Sequence, residues 1–377
     1  FANLAHIKRF KKIVVKILLA LLLILVVTSI LFSIPAVQTR LGKVATNYLQ
    51  SSFDVDINVG KVDLAYIGDV KLKEVFIRDH HLDTLIYAEN LSTSILSYRN
   101  ILKNKLAFGQ ISIEAFILNI KTYKNEEDDA LTVFVDKFDD GTVSDKPSSF
   151  LMTADKLKLE KGFVAISDEN IENENPLYFD EINGSATNFK VAGPNVSVEI
   201  RAMSFVENHG LKVESLSSDF TFTKSFMIFE NTELNTKSSK ILADIKFTYD
   251  REDFSDFNNL VFFNANVKQA DVSLLDLRSF YKEFGTNDVL HFSTLISGKL
   301  NDFVMNDLQL KTDKNAIIQG DLNFKNVFNQ ENGFSMNGNF KNLTSDYNHL
   351  KIVLPELLGK TLPTSFEQLG RFTLSGN

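Results

Sequence analysis

The segment Ile241–Tyr249, with the sequence ILADIKFTY, decides the fold class of the chain. Its apolar side chains recur at every second position, and charged residues such as Asp244 and Lys246 lie between them. Successive side chains of a β-strand point to opposite faces of the sheet. A period of two therefore predicts a strand with one apolar face and one polar face.

The same alternation returns along the chain from Phe53 onward. Further segments with this period are Val70–Leu72, Ile111–Ile113, Leu157–Leu159, Val198–Ile200, Phe220–Phe222, Val261–Phe263 and Leu322–Phe324. We therefore expect a mainly β protein with a few short helices. An apolar face of this extent must be covered. The period alone fits a sandwich of two sheets and a single sheet curled into a groove that shelters acyl chains equally well.

Seven apolar residues are the candidate lining of such a groove. They are Val198, Ile200, Phe220, Phe222, Ile241, Ile245 and Phe247. The alternative for each of them is ordinary packing in a closed core.

Three of the alternating segments share a break of phase. Val70–Leu72 is followed by Val75 and Ile77, Ile111–Ile113 by Phe116 and Leu118, and Leu157–Leu159 by Gly162 and Val164. A phase break inside a strand predicts a β-bulge or a tight corner.

A longer repeat links two regions near the end of the chain. Val272–Leu277 and Leu350–Leu354 have helix-like patterns, and each precedes a strand that ends in Ser-Gly, at Gly298 and at Gly376. Repetition of this kind predicts an elongated β architecture that grows by the addition of units. The charged segment Lys124–Asp129 is predicted to be a hairpin tip.

A different pattern precedes the strands. Residues 17–34 carry no charge and, at ~1.5 Å per residue, would form a helix of ~27 Å, close to the thickness of a bilayer core. This segment predicts a transmembrane signal anchor. The anchor residues are Ile17, Leu21, Leu25, Ile30 and Ile34. A cleaved signal peptide is the alternative, although its apolar core is usually about 7–15 residues long.

The direction in which the anchor crosses the membrane is predicted from the charges around it. Segment 1–16 contains basic residues, and no carboxylate occurs before Asp54. Cations remain on the cytoplasmic side, so the bulk of the chain is expected to lie across the membrane. Segment 35–52 has the period of an amphipathic helix, and segment 53–377 is predicted to be the elongated β part. The chain begins without Met and stops within a strand-like pattern, so we expect the polypeptide to continue beyond residue 377.

Composition excludes several classes of function. The 377 residues have a net charge of −8 and no long basic run outside segment 1–16, which argues against nucleic-acid binding. No cysteine is present, so neither disulfides nor thiolate metal sites can form. The 33 phenylalanines suit a dry core or a surface for acyl chains equally.

Signatures of catalysis are also missing. The chain contains none of the common phosphate-binding, dinucleotide-binding, zinc-protease or serine-hydrolase motifs. We therefore predict no enzyme activity, no catalytic residue, no metal and no cofactor.

Three polar clusters could in principle contradict that prediction. His80 and His81, with Asp79 and Asp83, form the densest ligand-like cluster, but adjacent strand residues face opposite sides, which favours a solvated turn. Asp136, Asp139, Asp140 and Asp145 do not have the spacing of a calcium loop. Asp168, Glu169 and the acidic segment 172–174 could form an acid/base pair, but acidic turns are common for solubility.

The chain resembles the AsmA-like family, and within it the N-terminal part of the TamB proteins, inner-membrane subunits of the translocation and assembly module. The resemblance covers essentially the whole chain. It rests on the signal anchor followed by Ile34–Thr39, on Val59–Asp63, on Val70–Leu72 with Ile77–Asp79 and Asp83–Ile86, and on the strands that end in Ser-Gly.

This resemblance implies a single-pass protein of the bacterial inner membrane with a cytoplasmic N-terminus and a periplasmic β-ribbon curled into a hydrophobic groove, a β-taco. It implies a conduit for phospholipid between the inner and outer membranes. The implied partner is an outer-membrane barrel of the Omp85 class, contacted through a C-terminal part that this chain lacks. The alternative function is an assembly factor for outer-membrane β-barrel proteins.

Overall fold

The computed structural model describes a defined part of the chain. It describes residues 54–64, 69–95, 105–138, 150–171, 176–280, 284, 288–327, 333–353 and 363–376, together with Arg40, Asn47, Gln50 and Ser51. The predicted cytoplasmic segment 1–16 and the predicted anchor 17–34 lie outside these residues. Within the described ranges, no helix is long and apolar enough to cross a membrane. The four described residues of segment 35–52 are helical, and the Gln50 side chain donates to the carbonyl of Ile57.

A single sheet of sixteen strands makes up most of the described chain, which confirms the prediction of a mainly β protein. The strands are β1 Asp56–Leu64, β2 Asp69–Arg78, β3 Thr84–Ile95, β4 Lys105–Thr122, β5 Leu151–Asp168, β6 Leu177–Ala192, β7 Asn195–Glu207, β8 Lys212–Phe222, β9 Phe226–Thr236, β10 Lys240–Thr248, β11 Phe262–Ser273, β12 Val289–Lys299, β13 Phe303–Thr312, β14 Ile317–Lys325, β15 Ser335–Asp346 and β16 Arg371–Gly376. Their order in the sheet is their order in the chain. Each strand therefore pairs with its sequence neighbours.

One pair of strands departs from the antiparallel pattern of this meander. β4 and β5 are parallel, with Ile113 beside Leu159 and Leu118 beside Val164. Parallel neighbours need a crossover and cannot be joined by a hairpin. Residues 123–150 form that crossover and include helix α1, Ala130–Asp136. The prediction of a hairpin tip at Lys124–Asp129 is therefore wrong.

Three strands reverse their alternation where the sequence predicted breaks of phase. Glu74, Ala115 and Lys161 have positive φ angles of 53°, 51° and 52°. Each lies between the two halves of one of the three predicted broken segments, which confirms that prediction. The pairing of β5 with β6 shifts beside Lys161, as at a β-bulge, whereas the register runs unbroken past Glu74 and Ala115, as at a tight corner.

Short helices lie at the ends of strands. They are α2 Phe257–Leu260, α3 Leu274–Leu277 and α4 Tyr347–Val353, with 3-10 turns at Arg251–Asp256 and Thr364–Leu369. α3 and α4 precede β12 and β16, which carry Gly298 and Gly376, so the predicted helix-then-strand repeat is confirmed. α3 begins two residues later than predicted, because Val272 and Ser273 still belong to β11.

Apolar side chains gather on one face of the sheet. On β11 the buried residues Phe263, Ala265 and Val267 alternate with exposed Asn264 and Asn266. Buried residues of β10 and β11, with Ala243 and Val267 among them, form one cluster with half-buried neighbours from β10, α3 and β12. A second cluster joins β1–β3 and includes Val62 and Val75. We call this side of the sheet the apolar face and the other side the polar face.

Candidate apolar binding face

One line of directly opposed residues crosses all sixteen strands on the apolar face. Its members are Val62, Leu72, Leu91, Ile113, Leu159, Gly184, Met203, Leu216, Leu234, Ile241, Ala270, Phe292, Leu310, Ile318, Leu343 and Leu374. Each member is the registered partner of the next, and none has a polar side chain. We call this line the apolar row. At ~4.8 Å between strands, it runs for ~70 Å.

Most of the apolar row is neither enclosed nor fully exposed. Val62 and Ala270 are buried, Leu374 is exposed, and the other members are half-buried. Inward side chains of a sandwich interdigitate with a second sheet and become largely inaccessible. The described residues contain one sheet only. Within that part of the chain, the apolar row therefore has no second sheet above it.

All seven predicted lining residues lie on this face and are half-buried. Val198 is the partner of Phe220, and both Phe220 and Ile245 are partners of Phe229. Phe222 and Phe247 are both partners of Met227. The remaining two are Ile200, which pairs with Ala186, and Ile241, a member of the apolar row.

An aromatic line runs beside the apolar row. Phe247 opposes Phe263, and their rings lie 6.1 Å apart. Phe303 opposes Phe324 at 4.9 Å. Gly298 stands between Phe263 and Phe303 in the register and has no side chain, so these two rings meet edge-to-face at 6.1 Å. Phenyl rings offer large apolar area without a polar group.

Few polar groups occur on the apolar face, and those near its centre are paired. The hydroxyls of Ser218 and Thr232 lie 2.8 Å apart, and Ser218 also donates to the carbonyl of Glu230. Thr294 donates to the carbonyl of Asn306. A hydrogen-bonded hydroxyl adds little polarity to an apolar surface.

Helix α1 lies on the apolar face and brings the two ends of β5 towards each other. Asp129 pairs with Thr122 beside the end of β5, while Phe138, two residues after α1, places its ring 4.7 Å from Phe150, which precedes β5. Residues 129–138 are mostly helical and advance ~1.5 Å each, ~15 Å in all, so the path is at most about 30 Å once the contacts at its two ends are included. A straight strand of 18 residues would span ~59 Å. β5 is therefore strongly curved.

The curvature is directed towards the apolar face. α1 packs against Leu85 and Tyr123 through Ala130, in a cluster that also contacts the half-buried residues Ile86 and Leu118. Ile86 and Leu118 are registered partners on the same side of the sheet as Phe116. α1 thus occupies the inside of the bend.

A depression of about 630 Å³ lies over β4–β8. Polar side chains that border it include Lys156, Lys158, Glu160, Thr187 and Ser204. Lys158 and Glu160 form an ion pair at 2.6 Å. Leu159, Gly184 and Met203 of the apolar row also line the depression, so its lining is mixed.

The predicted solvated turn at His80 and His81 is confirmed, but the expectation that their side chains would point to opposite sides is wrong. They lie in the turn between β2 and β3, where the alternation of a strand does not apply, and both imidazoles reach Glu126. Among the described residues, His80, His81 and Glu126 form the one group of at least three such side chains with ligand atoms close enough to hold a metal ion.

The other polar clusters do not form a catalytic arrangement in the described residues. Asp139, Asp140, Asp145 and the acidic segment 172–174 lie outside those residues. Asp168 accepts from the backbone of Asn170, and Glu169 accepts from Lys121 at 2.8 Å. The hydrogen bond from Lys121 holds the pKa of Glu169 below its usual value. Both carboxylates therefore stabilise the loop after β5.

Comparison with models of known protein families gives no match. Comparison with curated proteins also gives no match.

Proposed function

We propose that this chain is an inner-membrane-anchored periplasmic bridge, of the AsmA-like type, that shields acyl chains in a β-groove and carries phospholipid between the two membranes. The observation that carries the proposal is the apolar row, which is continuous across sixteen strands and mostly half-buried. A protein core needs only local apolar contacts. An unbroken line along the sheet is what a moving apolar ligand requires.

The energetics favour such a surface. Exposing lipid tails to water costs ~0.8 kcal/mol per CH₂, so two tails of ordinary length cost well over ~20 kcal/mol. A continuous trough removes most of this barrier at every position along the path. The polar headgroup can stay in water at the open side.

We infer that the curved sheet forms this trough with the apolar face inside. The phase breaks at Glu74, Ala115 and Lys161 and the bend of β5 support this arrangement. On this view α1 covers part of the mouth of the groove, and the polar face is turned to solvent.

The membrane anchor at 17–34, the cytoplasmic N-terminus, the periplasmic location and the Omp85-class partner belong to the same proposal. Their support is the sequence pattern and the resemblance. No enzymatic step is required.

Photo-crosslinking tests the proposal directly. A photoreactive amino acid at Ile245, on the apolar face, is compared in cells with one at Lys246, the next residue on the polar face. We expect adducts with phospholipid from position 245 only, identified by mass analysis. Equal labelling from both positions, or no lipid at either, overturns the conduit.

One observation favours assembly of outer-membrane proteins as a second candidate. In the described part of the chain, the outer edge of β1 pairs with no strand, and such an edge can receive a client strand. A photoreactive residue at Lys61 would then crosslink to nascent barrel proteins. Protein adducts at 61 without lipid adducts at 245 would favour this function over the conduit.

A further inference from the structure

Two imidazoles and a carboxylate converge at the end of the sheet where β2, β3 and β4 meet. His80 Nε2 lies 2.7 Å from one carboxylate oxygen of Glu126, and His81 Nε2 lies 2.6 Å from the other. The three potential ligand atoms lie within 4.8 Å of one another. None of these residues belongs to the apolar face.

The turn that carries the two histidines is braced. Asp79 Oδ1 accepts from the backbone N–H groups of His81 and Asp83, both at 2.9 Å. This arrangement sets the two imidazoles side by side, with ring centroids 4.6 Å apart. The Tyr123 ring stacks on His81 at 3.8 Å and forms the floor of the cluster.

The loop that carries Glu126 is braced separately. Its backbone N–H donates to the carbonyl of Tyr123 at 3.0 Å. The side chain of Asn170 donates to the carbonyls of Tyr123 and Glu126 and accepts from the N–H of Asn125 at 2.7 Å. Both ligand-bearing loops are therefore held in place by contacts that do not use the ligand atoms.

We propose that His80, His81 and Glu126 bind a divalent transition-metal ion of the Zn²⁺ class through two imidazole nitrogens and one carboxylate. This ligand set is one that Zn²⁺ accepts, and a fourth position is left for water because the three side chains are 24 %, 43 % and 32 % exposed. Tetrahedral ligands at ~2.0–2.2 Å from zinc stand ~3.3 Å apart. The present contacts at 2.6 and 2.7 Å would need to widen by less than ~1 Å, which side-chain rotation permits.

The surrounding charges favour a cation. Asp79 and Asp83 lie next to the histidines, and both accept from the hydroxyl of Tyr123 at 2.7 and 3.0 Å. Lys121 Nζ lies 4.4 Å from the centre of the Tyr123 ring and is paired with Glu169 at 2.8 Å. The bound ion would join the β2–β3 turn to the part of the crossover that precedes α1, at one end of the bend in the sheet. The metal thus acts as a clamp, independently of lipid transport.

Zinc titration of the full chain tests the site. The protein is purified in detergent without a polyhistidine tag, and binding is measured by calorimetry, with Co²⁺ absorption as a report on coordination. We expect one Zn²⁺ per chain and an increase in the unfolding midpoint on binding. His81→Ala and Glu126→Gln should each weaken binding at least tenfold and remove the increase.

Two further variants serve as matched controls. His209→Ala removes an exposed histidine beside Glu207, and His291→Ala removes one between Asp271 and Asp313. Both should bind zinc as the unmodified chain does. The proposal is overturned if no zinc binds, or if binding survives Glu126→Gln and His81→Ala in protein whose far-ultraviolet circular dichroism is unchanged.

Discussion

Phe116 and Gly162 show how closely single residues are fitted on the apolar face. A Cβ atom at position 162 would lie 2.0 Å from Cε1 of Phe116, so the phenyl ring occupies the place of the missing side chain. This contact joins the two parallel strands β4 and β5. A glycine in a strand interior is otherwise unfavourable, and packing of the ring explains its presence.

We predict that Gly162→Ala destabilises the protein by about 1–3 kcal/mol, because the ring must leave its position. Chemical unfolding followed by circular dichroism measures the change. Gly60→Ala is the control, since the atom nearest to its added Cβ is the flexible carboxylate end of Glu74 at 2.6 Å. Phe116→Leu should reduce the cost of Gly162→Ala, and strict additivity of the two changes would contradict the explanation.

His291 is a titrating residue on the polar face. The hydrogen bond to Asp271 at 2.7 Å, with a second to Asp313 at 2.9 Å, raises the pKa of His291, and the same contact lowers the pKa of Asp271. Because the pKa of His291 is raised in the folded state, its contribution to stability is fully present below pH 6.5, the pKa of the unfolded state. This contribution is lost as the pH rises through the pKa of the folded state. The contribution of Asp271 to stability is present above pH 3.8, the pKa of the unfolded state. It is lost as the pH falls through the lowered pKa of the folded state.

We therefore predict that His291→Gln lowers stability most between about pH 4.5 and 6.5 and has little effect at pH 8.5 and above. The pair is partly exposed, so the difference should be at most about 1 kcal/mol. Unfolding free energies of both proteins at pH 5.5 and 8.5 measure it. An equal difference at both values would mean that the ion pair is not its source.

At the level of elements, the crossover between β4 and β5 decides the curvature. A chain of rings, from Phe134 to Phe138 at 5.3 Å and from Phe138 to Phe150 at 4.7 Å, connects α1 to the beginning of β5. The phase breaks permit the bend, and these contacts hold its two ends together. Helix α1 is only seven residues long, too short to be stable without such packing.

Removing the central ring should open the bend. We predict that Phe138→Ala lengthens and broadens the distance between spin labels at Ile171→Cys and Lys190→Cys, which lie near opposite ends of β5. The chain has no native cysteine, so labelling is specific. Phe280→Ala, which removes a half-exposed ring outside the crossover, is the control. An unchanged distance in Phe138→Ala would show that the phase breaks alone maintain the curvature.

At the scale of the whole molecule, the sheet differs from a globular core because it is extended in one direction, the direction in which successive strands are added. Each added strand continues the apolar row by one residue and ~4.8 Å. The apolar face consequently has the same character at β2 as at β14. This uniformity is suited to transport along the sheet rather than to binding at one place.

A charge within the apolar face should block transport. We predict that Phe247→Glu reduces phospholipid transfer at least about tenfold, since a carboxylate in an apolar path costs a few kcal/mol. Thr248→Glu is the matched control, because it adds the same charge at the next residue, on the exposed polar face. Transfer between donor and acceptor vesicles by the full chain measures the effect. Equal loss in both variants, or loss in neither, contradicts a passage along this face.

Local sequence pattern by itself determined the strands, their apolar and polar sides, the phase breaks at Glu74, Ala115 and Lys161 and the two short helices before β12 and β16. These features follow from the order of neighbouring residues, because a strand exposes alternate side chains and a corner or an extra residue reverses that alternation. The seven candidate residues on the apolar face could be proposed for the same reason.

Only the tertiary structure decided which residues of different strands stand opposite one another. The parallel pairing of β4 and β5, the Phe116 ring over Gly162 and the approach of His80 and His81 to Glu126 all join residues more than forty positions apart in the chain. Register depends on the lengths of loops and on every bulge between two strands, and a shift of one residue exchanges the faces. The apolar row exists because each of the fifteen strand pairings places one of its members opposite the next.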